Sequence, residues 1–181
     1  DFDTAPLADG APTACSMILV TPDGERTMNT YLGACQELTT ADIDVKTVEG
    51  AAITYLEGYL WDPPQAKDAF RRAAEIAHGA GRRVSLTLSD SFCVDRFRDE
   101  FLGLIRDGTI DILLANESEI RALYQSSDFE TGIRALQSDC RIAAVTMGAE
   151  GAMVVSKDGI ERVSATPVEA VVDTTGAGDL F

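Results

Sequence analysis

From Ala51 to Thr146 the sequence alternates between short apolar runs and longer stretches of helical periodicity, and this alternation limits the possible folds most strongly. The apolar runs are Ala51–Leu56, Arg83–Leu88, Ile110–Ala115 and Ile142–Thr146. In the stretches between them, apolar residues recur every three or four positions, as in amphipathic helices. A repeated strand-helix-strand order favours a parallel sheet with right-handed connections. The sequence therefore predicts an α/β fold with a mostly parallel sheet.

The remaining elements are predicted from turn residues and periodicity. The segment from Pro63 and Pro64 to Gly79 has the start and stop signals of a helix. Further helices are expected to carry Val94, Phe97, Phe101 and Leu104, then Ile120, Leu123 and Tyr124, and then Phe129–Leu136. Short strands are expected at Ala152–Ser156, Glu161–Ser164 and Val168–Val172. Before all of these, Cys15–Val20 and Arg26–Leu32 flank the turn residues Pro22, Asp23 and Gly24, which predicts a β-hairpin.

Composition excludes several classes of function. A chain of 181 residues is expected to form one main domain. Its formal net charge of −15 repels phosphate backbones and anionic headgroups, so nucleic acid and membrane surfaces are poor partners. Four scattered cysteines and one histidine do not make a zinc site. With no bilayer-length apolar run and no signal-peptide pattern, the protein is expected to be cytoplasmic with reduced thiols.

The strongest chemical signal is the glycine-rich turn Asp173–Asp179, which reads DTTGAGD and is expected to lead into a helix. Small residues let a ligand approach the backbone, and the N–H groups at a helix start favour an anion. An adjacent carboxylate, Asp179, could then accept the proton of an attacking hydroxyl. The alternative is a plain strand-to-helix turn in which Asp179 only complements the helix dipole.

The DTTGAGD segment resembles the C-terminal signature of the ribokinase-like (PfkB) family of carbohydrate and nucleoside kinases. The resemblance implies a three-layer αβα sandwich with a small β lid hairpin. It also implies that Asp179 is the catalytic base and that Gly176, Ala177 and Gly178 form the anion hole. In some members the first Asp of the signature and a nearby carbonyl bind a monovalent cation such as K⁺, which would correspond to Asp173 and Thr175.

Two further motifs come in the order that the family has them. The sequence NESE at Asn116–Glu119 resembles the N-x-x-E motif and implies a phosphate and metal role, with Glu119 holding Mg²⁺ through water. The sequence TMGAEG at Thr146–Gly151 is similar to the nucleotide-site turn and implies that Thr146 and Gly148 lie near ATP. The structural alternatives are an Asn N-cap with a Glu three positions later, and a simple tight turn between strands.

The resemblance implies an ATP- and Mg²⁺-dependent kinase that phosphorylates a primary hydroxyl of a small molecule. The segments RTMNTYLGA at Arg26–Ala34 and TYLEGYLWDPP from Thr54 resemble bacterial members assigned as adenosine or sugar kinases, so adenosine is the first expectation and ribose or fructose the second. Residues 13–34 would form the lid, through which a homodimer could pair. Tyr31, Tyr55 and Trp61 can equally be packing aromatics.

Residues 1–181 are expected to be the central and C-terminal portion of one kinase domain, lacking family segments at both ends. A non-catalytic nucleotide-binding relative is the alternative from another class, because fold does not fix function. A dinucleotide-binding dehydrogenase is excluded by the lack of a G-x-G-x-x-G motif after the first strand of a β-α-β unit.

Overall fold

The computed structural model describes residues 4–171 and 173–178, which fall into two compact units. One unit contains the described residues up to Glu37 together with those from Thr166 onward. The other runs from Leu38 to Ala165.

The first unit contains the predicted hairpin, in which β1 (Cys15–Val20) pairs antiparallel with β2 (Arg26–Tyr31). Every residue of both strands is exposed, including Met17 and Leu19. A short 3₁₀ helix follows at Gly33–Glu37.

The larger unit contains a six-stranded sheet in the order β3-β4-β5-β6-β7-β8. Its strands are β3 (Ile53–Glu57), β4 (Arg83–Thr87), β5 (Ile112–Asn116), β6 (Ile142–Thr146), β7 (Ala152–Ser156) and β8 (Gly159–Val163). The first four strands pair in parallel, whereas β7 and β8 are antiparallel to their neighbours. The predicted mostly parallel α/β sheet is therefore confirmed.

The helices of this unit are α1 (Val45–Gly50), α2 (Pro64–Gly79), α3 (Ser91–Arg106), α4 (Glu117–Tyr124) and α5 (Phe129–Asp139). Helix α2 packs on β3 and β4, α4 on β5, and α5 on β7. Their apolar faces and the sheet form one core, whose largest fully buried side chains include Trp61, Phe101 and Leu86. None of the helices in the described residues is long and apolar enough to cross a membrane.

One expectation fails, and one helix was not predicted. Helix α1 was not predicted, because six residues are too few to show a period; it begins at the Asp44 cap, whose carboxylate accepts a hydrogen bond from the Thr47 N–H.

The strand expected at Val168–Val172 is wrong for its described residues, 168–171, which form no strand. A strand persists only where a neighbour pairs with its backbone, and Val168 and Val171 are exposed. Val172 and the start of the helix expected after Gly178 lie outside the described residues.

Candidate active site

The candidate site in the larger unit lies where the parallel strands end. Strands β3 to β6 run in the same direction, so their last residues share the carboxyl edge of the sheet, which is where open α/β sheets bind ligands. Asn116 ends β5 and Thr146 ends β6, and the two residues are direct register partners. The structure thus brings together two of the side chains that the sequence singled out.

Asn116 and Glu119 form a reciprocal capping box at the start of α4. The Asn116 Oδ1 accepts a hydrogen bond from the Glu119 N–H at 2.9 Å. In return, the Glu119 carboxylate accepts from the Asn116 backbone N–H at 2.9 Å and from Asn116 Nδ2 at 2.7 Å. The capping arrangement that the sequence left as an alternative is therefore present.

Glu119 is only 3% exposed, which is unusual for a carboxylate. Burial raises its pKa, and the negative charge of Asp90 acts in the same direction, while the hydrogen bond from the Asn116 backbone partly opposes both. The Asn116 donors therefore compensate for much of the lost hydration of the charged form.

The donor chemistry at Glu119 suits Mg²⁺, which takes one or two protein carboxylates and keeps several waters. Within residues 4–171 and 173–178, no three acidic, histidine or cysteine side chains converge as a ready-made metal site. Both Glu119 oxygens already accept hydrogen bonds from Asn116. Any magnesium ion at this edge would therefore have to be held through water rather than enclosed by the protein.

The TMGAEG segment forms a tight turn between β6 and β7. The Met147 N–H donates to the Gly151 carbonyl at 2.8 Å, and Gly148 has a φ of +57°. Gly151 has a φ of +104°, and a Cβ there would lie 2.0 Å from the Val163 carbonyl oxygen. Only glycine fits at Gly151, because the backbone after β8 passes directly against it.

Sequence reasoning missed a polar network at the same edge. Ser89 follows β4 with a φ of +73°, a conformation that costs free energy for a residue with a side chain. Its Oγ accepts a hydrogen bond from the Tyr59 backbone N–H at 3.1 Å and donates to Glu57 Oε2 at 3.3 Å. Glu57 also accepts from the Tyr55 hydroxyl at 2.8 Å. The positions of Glu57 and Ser89 at strand ends were the available signal.

Several acidic groups at this edge influence the pKa of Tyr59. Burial raises the pKa of its phenol, and the charges of Asp90, Glu119 and Glu57 raise it further. Asp90 caps α3 by accepting from the Cys93 N–H at 2.6 Å. The carboxyl edge of the sheet is therefore markedly acidic.

In the smaller unit, the glycine-rich segment forms a turn over residues 175–178. The Asp173 Oδ1 accepts from the Thr175 N–H at 2.8 Å, and this hydrogen bond is the main reason why the pKa of Asp173 is lowered. The Ala177 N–H donates to the Thr174 carbonyl at 3.2 Å, and Gly176 has a φ of +74°. Asp179, the expected base, lies outside the described residues.

This turn is tied to the hairpin of its own unit. Arg26 Nη1 donates to Thr174 Oγ1 at 2.9 Å, and Thr174 Oγ1 donates to the Gly24 carbonyl at 3.2 Å. These contacts were not predicted, because Arg26 and Thr174 are 148 positions apart in the sequence. Arg26 therefore links the hairpin to the glycine-rich turn within this unit.

Solved structures resemble the chain closely. An adenosine kinase of Sinorhizobium meliloti is 57% identical, with a TM-score of 0.95 over 99% of this chain and 55% of its own. A probable sugar kinase of Rhizobium etli is 54% identical, with the same TM-score over 98% of this chain and 54% of its own. A candidate ribokinase II of E. coli, solved with ATP and Mg²⁺, is 25% identical, with a TM-score of 0.77 over 91% of this chain and 54% of its own.

The fold is therefore ribokinase-like, as predicted. The chain spans about half the length of the curated relatives it matches, 46% and 55% for the first two. The model of the pfkB family carbohydrate kinases matches residues 1–181, and the chain belongs to that family.

Proposed function

We propose that the protein is a phosphotransferase that moves the γ-phosphoryl group of ATP to a primary hydroxyl of a nucleoside, with adenosine favoured. The observation that carries the proposal is the Asp173–Gly178 turn followed by Asp179, in a chain matched by the pfkB family model over residues 1–181. The adenosine kinase that is 57% identical supports adenosine as acceptor.

In this proposal the Asp179 carboxylate accepts the proton of the acceptor hydroxyl. The hydroxyl oxygen then bonds to the γ-phosphorus as the bond to the ADP oxygen breaks. The N–H groups of Gly176, Ala177 and Gly178 stabilise the charge on the transferred phosphoryl oxygens. Because the Ala177 N–H bonds to the Thr174 carbonyl, it has to leave that acceptor to take part.

Thr146 and Gly148 would bind the nucleotide. The turn at Gly148 suits this role, because Gly148 is exposed and nothing lies within 4 Å of where a Cβ would stand. Asn116 and Glu119 would hold Mg²⁺ through water, and the ion when bound would neutralise charge on the phosphates. Asp173 and Thr175 are the residues proposed for a monovalent cation such as K⁺.

The hairpin within residues 13–34 would close over the acceptor as a lid of the same kinase domain. Its strands are exposed on both faces, and an isolated two-stranded hairpin is marginally stable in water. Pairing of lids in a homodimer would cover this surface. A cytoplasmic location stays a prediction.

A sugar is the second candidate for the acceptor, because the probable sugar kinase of Rhizobium etli is 54% identical. The two proposals share every step of phosphoryl transfer and differ only in the molecule that carries the accepting hydroxyl. ADP release by the natural full-length protein, measured with adenosine, ribose and fructose as acceptors, distinguishes them.

Substitution of the proposed base tests the mechanism. Asp179→Asn should lower kcat by about a hundredfold to ten-thousandfold, the usual contribution of a general base. Asp158→Asn, in the exposed turn between β7 and β8, is the matched control and should keep full activity. Near wild-type turnover in Asp179→Asn would overturn the mechanism, and ATP binding without transfer to any acceptor would favour a non-catalytic relative.

A further inference from the structure

A cleft of about 450 Å³ opens at the end of the sheet opposite the candidate active site. Asp111 precedes β5 and Arg141 precedes β6, so both lie at the amino edge of these parallel strands. Lys157 follows β7, whose Ser156 pairs with Ile142 at the start of β6, and therefore reaches the same edge. The end of α3, with Arg106, completes the wall.

The carboxylates of the cleft are already engaged. Asp111 accepts hydrogen bonds from His78 Nε2 and from the Val84 N–H, both at 2.9 Å, and forms an ion pair with Arg141 at 3.2 Å. Asp139 accepts from Arg106 Nη2 at 2.9 Å and from the Tyr124 hydroxyl at 3.2 Å. Both side chains are largely buried, with 12% and 18% exposure.

The cationic side chains, in contrast, keep hydrogen-bond donors that are not engaged by the carboxylates. A guanidinium carries five N–H donors, and the ion pairs of the described residues engage one nitrogen each of Arg106 and Arg141. Both side chains are more than half exposed. Lys157 is exposed and forms no ion pair with any residue in the described part of the chain.

The cleft therefore has one more cation than carboxylates in a chain whose net charge is −15. Burial raises the pKa of Cys140 to about 11, so this thiol adds no negative charge at neutral pH. Cys140, Ile105 and Ile110 also line the cleft, although each of them is at most 3% exposed.

We propose that this cleft binds a small oxyanion, a metabolite with a phosphate or carboxylate group, through Arg106, Arg141 and Lys157. Guanidinium groups match the geometry of both oxyanions and can bind them through two parallel hydrogen bonds. The site is separate from the carboxyl edge of the sheet and does not depend on the proposed kinase activity.

Calorimetric titration of the natural full-length protein with inorganic phosphate tests the proposal. A protein with Arg141→Ser and Lys157→Ser should lose one phosphate site or bind there at least about tenfold more weakly, as expected for the loss of charge-assisted hydrogen bonds. The control, Arg72→Ser with Arg134→Ser, removes two exposed cations outside the cleft and should leave binding unchanged. Any phosphate that binds at the glycine-rich turn would be retained in both proteins, so the difference in stoichiometry is the measured quantity.

A single substitution provides a second test that does not depend on the folding of the double variant. Lys157→Glu reverses a charge on an exposed turn and should weaken phosphate binding without lowering the melting temperature. Citrate added as a competitor distinguishes the sources: displacement of phosphate indicates a site for either oxyanion, and its failure indicates a phosphate site. Equal phosphate stoichiometry in the cleft variants and the control would overturn the proposal. Loss of the calorimetric signal when the phosphate titration is repeated in potassium chloride of matched ionic strength would also overturn it.

Discussion

Replacing Asn116 by alanine tests how much the buried capping box contributes to the fold. The change removes the N-cap hydrogen bond to the Glu119 N–H, a loss that usually costs about 1 kcal/mol. It also removes the Nδ2 donor from a carboxylate that is 3% exposed, and leaving such a buried acceptor unpaired costs about 1–3 kcal/mol. The expected loss in free energy of unfolding is therefore about 2–4 kcal/mol.

The matched control is Asp128→Ala at the start of α5. Asp128 also caps a helix, accepting a hydrogen bond from the Thr131 N–H, but its side chain is exposed. Its loss should cost only about 1 kcal/mol, because water can replace the lost partner. Urea unfolding of both variants, followed by circular dichroism, gives the two free energies.

An Asn116→Ala variant that is no more destabilised than Asp128→Ala would contradict this expectation. Equal costs would mean that water reaches Glu119 or that the carboxylate is protonated and needs fewer donors. A double variant with Glu119→Leu provides a second check. If the large cost comes from a stranded carboxylate, replacing that carboxylate by an apolar side chain should restore part of the stability lost in Asn116→Ala.

Two other substitutions test the structure at different places. Gly151→Ala should lower the free energy of unfolding by about 3 kcal/mol or more, because a Cβ would stand 2.0 Å from the Val163 carbonyl at a φ of +104°; Gly148→Ala, where no atom lies within 4 Å, should cost about 1 kcal/mol in the same urea titration. Burial alone would raise the pKa of Asp111, but hydrogen bonds from the Val84 N–H and His78 and the charge of Arg141 lower it. The ionised carboxylate therefore stabilises the fold at neutral pH, and this contribution is lost as pH falls below about 4. In Asp111→Asn the melting temperature should consequently depend less on pH in that acidic range. A pH dependence equal to that of the wild type would contradict this.

The sequence predicted the larger unit well where periodicity and burial act together. Strands such as Ile142–Thr146 and helices such as Pro64–Gly79 occur at the predicted residues, because their apolar spacing determines which face joins the core. The strand expected at Val168–Val172 fails for residues 168–171, since apolar composition alone does not supply a neighbouring strand. Helix α1 was missed because a cap, rather than a period, marks it.

The candidate site was predictable only in part. Asn116 and Thr146 were singled out because their segments resemble family motifs and follow predicted strands, and the structure makes them neighbours at the ends of β5 and β6. Contacts between distant parts of the chain were not accessible in this way. The hydrogen bond between Arg26 and Thr174 and the network of Glu57 with Ser89 depend on side-chain directions that no local pattern encodes.

The two edges of the sheet carry opposite chemistry, and this contrast has a physical consequence for ligands. At the carboxyl edge burial raises the pKa of Tyr59 and the charges of Asp90 and Glu119 raise it further, so a phosphate that approaches this edge is repelled unless a cation offsets these charges. That requirement agrees with the proposed use of Mg²⁺. At the amino edge Arg106, Arg141 and Lys157 exceed the carboxylates, so an oxyanion can bind without a metal. Removal of magnesium by a chelator should therefore abolish nucleotide-dependent activity while leaving phosphate binding in the cleft intact.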